Sequence, residues 1–266
     1  LAHCPTIAYS GEIDKQKQAA DLMETVLENH NIRLKHIIGA GMAHKIDDVS
    51  KGIIDEGMAA LAKRGRNSTP TSLNFETHTL KYNRMHWLTV DAIGEHWQPV
   101  QVKAEILNRP VSRFTLQNVT ALTVDFPAGT YPENIVSSAI KNVQVTDFAE
   151  SQVQTLQVPG PTSDGAWKFS LKQVADENGR QTWTVVDSPT SDKLAKRHNL
   201  QGPIDDAFMD SFVFVRPTGT AANEAVGTWS AAELDRAIEH WRRHFRGDAR
   251  VINDVDVTDE LAQTAN

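Results

Sequence analysis

The spacing of apolar side chains divides the chain into three stretches. From Thr6 to Gly65, short apolar runs alternate with helical periods. Thr6-Ile7-Ala8-Tyr9 reads as the start of a strand and runs into the turn Ser10-Gly11-Glu12-Ile13-Asp14. Ala19, Leu22, Met23, Val26 and Leu27 then recur at helical spacing, with Lys15, Lys17, Asp21 and Glu24 on the polar side. This pattern predicts an amphipathic helix whose apolar stripe packs on a sheet. Arg33 to Ile38 reads as a second strand ending at Gly39-Ala40-Gly41. A second helix starts near Asp47 or Asp48, carries Val49, Ile53, Gly57 and Leu61 along one face, and stops at Gly65. Strand, helix, strand, helix with short connections predicts parallel strands joined by right-handed crossovers.

From about Ser72 to Val186 the period changes to two. Val100, Val102, Ala104 and Ile106 alternate with Gln101, Lys103, Glu105 and Leu107, the mark of a strand with one buried face. Asn108-Arg109-Pro110 ends that strand, and Phe114, Leu116 and the Leu122-Val124-Phe126 set predict more. Trp167, Phe169 and Leu171 lie on one side of Asn178-Gly179, with Trp183 and Val185 on the other. An Asn-Gly step between alternating runs predicts a hairpin, because both residues tolerate positive φ. The stretch reads as an antiparallel β domain, a sandwich or a partly open barrel.

From Pro203 the pattern returns to α/β. Phe212-Val213-Phe214-Val215 predicts a buried strand opening into Arg216-Pro217-Thr218-Gly219-Thr220. Ser230 with Glu233 three residues on reads as a capping box. It starts a helix with Leu234, Ile238, Trp241 and Phe245 as its buried stripe and Gly247 at its end. Arg250 to Val255 predicts another strand, and Thr258 caps the residues after it. The expected fold class is therefore α/β plus all-β, with segments at 1–68 (α/β), 69–200 (antiparallel β, sandwich-like) and 201–266 (a short, truncated α/β segment).

Composition narrows the functional classes. The 266 residues carry 40% apolar and 23% charged side chains and a net charge of −7, values of a globular chain. No apolar run approaches the roughly 20 residues that span a bilayer. A pI near 5.8 argues against a nucleic-acid partner, which needs a basic face to neutralise phosphates. The single cysteine, Cys4, excludes an internal disulfide and a multi-cysteine metal site. The chain starts at Leu1 without a leader, and Ala262 to Asn266 stop within a helical pattern. More chain is expected at both ends, and no compartment is read from the sequence.

The candidate chemistry lies in the first 50 residues. Asp14 follows the first strand and His44 lies in a glycine-flanked loop after the second. In an open parallel sheet both loops fall at the carboxyl edge of the strands, where such folds bind ligands. A carboxylate there can fix the imidazole tautomer so that the other ring nitrogen acts as a general base. Taken singly, Asp14 also reads as a helix cap and His44 as a surface loop residue; Glu12 is the alternative acid.

Ala8-Tyr9-Ser10-Gly11-Glu12-Ile13-Asp14-Lys15-Gln16, the helix after it, and Ile37-Ile38-Gly39-Ala40-Gly41-Met42-Ala43-His44 resemble the last third of an α/β-hydrolase catalytic domain. More narrowly, they are similar to the prolyl-oligopeptidase-like serine peptidases and esterases. The resemblance covers about residues 5 to 65. It implies Asp14 as triad acid, His44 as triad base, a peptide or ester substrate and no cofactor. That family places its nucleophile before the acid and histidine, in a G-x-S-x-G elbow. No such motif occurs in this chain. The chain alone is therefore expected to be inactive, with the serine supplied from upstream of Leu1. The β domain after the histidine also departs from the family, whose accessory domain comes first. The alternative function is a non-catalytic module presenting a β-sandwich to a peptide or glycan.

Other residues have plainer readings. His240 and His244 stand four apart on one helix and are expected on a solvated face. His78, His86 and His96 are placed in the first β strands without a metal role. The 216–220 loop reads as a plain strand-to-helix connection. Trp87, Trp97, Trp167 and Trp183 read as core of the β domain, with a sugar-stacking platform as the other possibility. Asn67-Ser68-Thr69 and Asn118-Val119-Thr120 fit the glycosylation pattern.

Overall fold

The computed structural model describes residues 3–107, 111–132, 138–148, 152–190 and 194–265. The expected strand end at 108–110 lies outside the described residues. The chain is mixed α/β and forms two compact units, Leu1–His78 with Arg84–Pro189, and Thr79–Asn83 with Thr190–Asn266.

The first unit opens with strand β1 (Ile7–Gly11), helix α1 (Lys17–Asn29), strand β2 (Lys35–Gly39) and helix α2 (Asp48–Arg64). β1 and β2 pair in parallel, with Tyr9 opposite Ile37 and Gly11 opposite Gly39. The side chain of Asp47 caps α2 by accepting from the Ser50 N–H at 2.8 Å. Gly65 closes the helix at φ 72°, a conformation that favours glycine.

Both helices are turned differently from the expected packing. On α1 the side toward the sheet carries Lys17, Ala20, Asp21, Glu24 and Leu27, while Leu22, Met23 and Val26 face outward, Leu22 with 64% of its surface exposed. The reason lies in the strands, whose face under α1 carries Ser10 and His36. His36 binds the polar side of the helix, its Nδ1 lying 3.1 Å from Glu24 Oε2, and Ser10 Oγ holds the other ring nitrogen at 3.0 Å. On α2 the inward residues are Ser50, Ile54, Gly57 and Leu61, and Val49 and Ile53 are exposed. Gly57 is on that inward face because a Cβ there would come within 2.8 Å of the Ile7 side chain.

The β domain comes next in the same unit. Its strands are β3 (Ser72–Thr77), β4 (Arg84–Met85), β5 (Leu88–Ile93), β6 (Val100–Glu105), β7 (Ser112–Gln117), β8 (Val119–Phe126), β9 (Ile140–Asp147), β10 (Val153–Pro159), β11 (Trp167–Ala175) and β12 (Gln181–Val186). They form two five-stranded sheets, ordered β10-β9-β7-β6-β3 and β12-β11-β8-β5-β4. Among the described residues the pairings are antiparallel except that of β7 with β9. The sheets face one another, as the edge-on contact of Phe114 with Phe169 at 6.2 Å shows. Gln154 of β10 bridges to the other sheet at Trp183, accepting from its N–H at 2.8 Å. Trp87, Trp167 and Trp183 are core, and burial of each such side chain stabilises by about 1.5–3 kcal/mol or more. Trp97 is exposed, so the tryptophans form no shared platform. The β11–β12 hairpin turns at Asn178-Gly179, and the Asp176 carboxylate closes it by accepting from the N–H groups of Asn178 and Arg180 at 2.9 and 2.8 Å.

In the second unit, Leu80 is buried and its N–H donates to Gln201 Oε1 at 2.7 Å. Strand β13 (Phe214–Arg216), helix α3 (Glu224–Phe245) and strand β14 (Val251–Asn253) form a β-α-β unit with parallel strands, and helix α4 (Asp259–Thr264) comes after it. α3 starts six residues before the expected Ser230, because Asn223 caps it by accepting from the Ala225 and Val226 N–H groups. Glu233 is not part of a capping box and pairs with Arg236 instead. Phe212, Phe214 and Trp241 cluster, while Phe245 stacks on Trp241 and is otherwise exposed. Among the described residues no helix is long and apolar enough to cross a membrane.

Candidate active site

The carboxyl ends of β1 and β2 bring Asp14 and His44 together, with His44 Nδ1 2.9 Å from Asp14 Oδ2. The other oxygen, Oδ1, accepts from the Gln16 N–H at 2.9 Å. That backbone N–H first, and then the His44 imidazole, holds the Asp14 carboxyl below its ordinary value. An ionised carboxylate only accepts, so Nδ1 carries a proton, and in the neutral imidazole Nε2 then presents its lone pair. The Asp14 side chain is 13% exposed and that of His44 is 81% exposed. A carboxylate screened from water beside an imidazole open to it suits a general base. Among the described residues no hydroxyl or thiol bonds to Nε2.

The loop carrying His44 is held from β1 and the turn after it. Glu12 N–H donates to Gly39 O at 2.9 Å and Ile13 N–H donates to Met42 O at 3.0 Å. The Glu12 carboxylate, the alternative acid, does not meet His44; it accepts from the Gly41 N–H at 2.7 Å. Tyr9 Oη donates to Lys45 O at 2.8 Å. Gly11 has no room for a side chain, since a Cβ would lie 2.1 Å from Ala43 O. A Cβ on Gly39 would lie 2.1 Å from the Tyr9 hydroxyl. Glycines at the ends of both strands were visible in the sequence; the roles of Tyr9 and Glu12 depend on partners far along the chain.

A second polar group lies under α1. The His36 side chain is 4% exposed; its Nδ1 donates to Glu24 at 3.1 Å and its Nε2 lies in hydrogen-bond contact with Ser10 Oγ at 3.0 Å. Ser10 is buried, and its hydroxyl is committed to this bond. Asp21, Glu24 and His36 form the one His/Cys/Asp/Glu group among the described residues whose donor atoms lie within 4.8 Å of one another. Lys17 Nζ already lies 2.5 Å from Asp21 Oδ1, and the bonds of His36 to Glu24 and Ser10 satisfy the imidazole. With its carboxylates half-exposed and its imidazole covered, the group fits a hydrogen-bonded network that seats α1 on the strands better than a cation site.

The remaining histidines meet at most in pairs, His3 edge-on to His86 at 5.8 Å and His240 beside His244 at 5.7 Å, and none joins a further three-donor group among the described residues. His78, His86 and His96 lie in turns and loops rather than in strands. His240 and His244 are exposed on α3, where His244 Nδ1 bonds to His240 O. The 216–220 loop holds the protein's own carboxylate, because Asp254 accepts from Thr218 N–H at 3.1 Å and Thr218 Oγ1 at 2.6 Å. Asn118, in one glycosylation pattern, is engaged on both sides of its amide by Glu95 N and O. No family model, no curated protein and no solved structure matches the chain.

Proposed function

We propose that the chain supplies the acid and base of a serine hydrolase, a peptidase or esterase of the prolyl-oligopeptidase-like kind. Its nucleophilic serine would lie in a part of the protein outside these 266 residues. On this reading the β1-α1-β2-α2 segment is the tail of an α/β-hydrolase sheet. The observation that carries it is the 2.9 Å contact of Asp14 Oδ2 with His44 Nδ1 at adjacent strand ends, with Nε2 left open.

The chemistry is set by that contact. His44 Nε2 takes the proton of the serine hydroxyl as the oxygen attacks an ester or amide carbonyl. Asp14 holds the tautomer and stabilises the imidazolium. As the tetrahedral intermediate collapses, the same nitrogen gives the proton to the leaving alcohol or amine.

The test is intact mass of the protein from its natural source, before and after a fluorophosphonate. A mass well above 29.5 kDa with one added phosphonyl group supports the reading. His44→Ala should then slow turnover on the order of 10⁴-fold. A mass near 29.5 kDa with no adduct overturns it and leaves a binding module for peptide or glycan.

A further inference from the structure

We infer that Tyr9 is a positioning residue for His44, acting through the backbone of the loop that carries the imidazole. The inference rests on the reading of Asp14 and His44 as an acid–base pair.

The His44 ring is too exposed to be fixed by packing, and among the described residues Asp14 is its one hydrogen-bond partner. Its location therefore depends on the backbone of residues 40–47, which lies between β2 and α2 and has no regular secondary structure. His44 is the central residue of a γ-turn, closed by Lys45 N–H donating to Ala43 O at 2.8 Å. Bonds on either side of the turn hold it. Ile13 N–H holds Met42 O at 3.0 Å on the near side, and Tyr9 Oη holds Lys45 O at 2.8 Å on the far side.

Tyr9 reaches that carbonyl because it lies on the β1 face opposite α1 and because Gly39 leaves space for the phenol. The same hydroxyl lies 3.5 Å from Asp47 Oδ2, the cap of α2. The phenol thus ties the strand leading to the acid to the turn bearing the base, with the cap of the next helix beside it. Among the described residues the bond from the Tyr9 hydroxyl to Lys45 O is the one by which β1 holds the Lys45 end of the turn, and loss of that hydroxyl removes it. The imidazole can then swing from the Asp14 carboxylate, and a misplacement near 1 Å is enough to slow a reaction about 10²-fold.

Tyr9→Phe removes the hydroxyl and keeps the ring. In the full-length protein, fluorophosphonate labelling should slow by about 10- to 100-fold. Nitrogen NMR of histidine-labelled protein should show His44 moving from the Nδ1–H tautomer toward a mixture, with the β-domain amides unshifted. Labelling at the wild-type rate together with an unchanged His44 tautomer overturns the inference. If wild-type protein is never labelled, the hydrolase reading fails, and the tautomer alone decides. A Tyr9→Phe protein that retains the Nδ1–H form then shows that the tyrosine does not position His44.

Discussion

Gly11 and Gly39 lie opposite each other at the last register position of the β1–β2 pair, and each leaves room for a group that builds the candidate site. Over Gly11 runs the backbone of Met42 and Ala43; over Gly39 sits the phenol of Tyr9. Gly11→Ala would push against backbone that cannot rotate aside, and overpacking of this kind costs about 1–3 kcal/mol. The expected result is loss of the Asp14–His44 contact with the β domain intact. It is checked by the His44 nitrogen shifts beside the amide spectrum of β3–β12.

Asp14 should titrate below an ordinary aspartate, which lies near 3.9. Because its folded value is lowered, the bonds to Gln16 and His44 contribute stability above the unfolded value. That contribution is lost as pH falls through the lowered one. Gln16 N–H is the larger cause, so His44→Ala should raise the Asp14 midpoint only partway. Carbon NMR of the Asp14 carboxyl measures this, and full recovery to the ordinary value would reverse the ranking of the two partners.

His36→Ala leaves the Ser10 hydroxyl and a Glu24 oxygen without their shared partner under α1. A polar group stranded in this way costs about 1–3 kcal/mol. Amide exchange across β1 and β2 should accelerate accordingly. Protection equal to wild type would show that water takes over both bonds.

Asp91 lies at a bulge in β5, where its Oδ2 accepts from Thr123 Oγ1 at 2.7 Å and Ser170 Oγ in turn supplies Thr123. Burial pushes its pKa up, against the smaller pulls of Thr123 and Lys168. With the folded value above the unfolded one, the folded state loses stability as pH rises from the ordinary carboxylate value through the raised one. Below both values the penalty is absent. Asp91→Asn should therefore raise the melting temperature at pH 7, and the gain should vanish by about pH 3. Melts at the two pH values check it.

The legibility of each element in the sequence depends on how local its signal is. Val100, Val102 and Ala104 alternate because one face of β6 is buried, a rule the strand obeys whatever it pairs with. Asp14 and His44 were legible for a similar reason: loops after parallel strands gather at one edge. The Leu22-Met23-Val26 stripe misled because periodicity reports that a helix has two faces, and the strand residues Ser10 and His36 decide which one is turned inward. Ser230-Glu233 looks like a helix start in isolation, but Asn223 provides an earlier cap and Arg236 takes the glutamate. Tyr9 gave no local sign, since its acceptor is 36 residues away.

The outward stripe of α1 makes that helix a surfactant built into the chain. Leu22, Met23 and Val26 present a greasy line to water on a protein of net charge −7. Handling should track that line rather than the charge: the protein should be retained on a phenyl resin in high salt and should spread at an air–water interface. Leu22→Lys, which touches neither Asp14 nor His44, should shorten the retention.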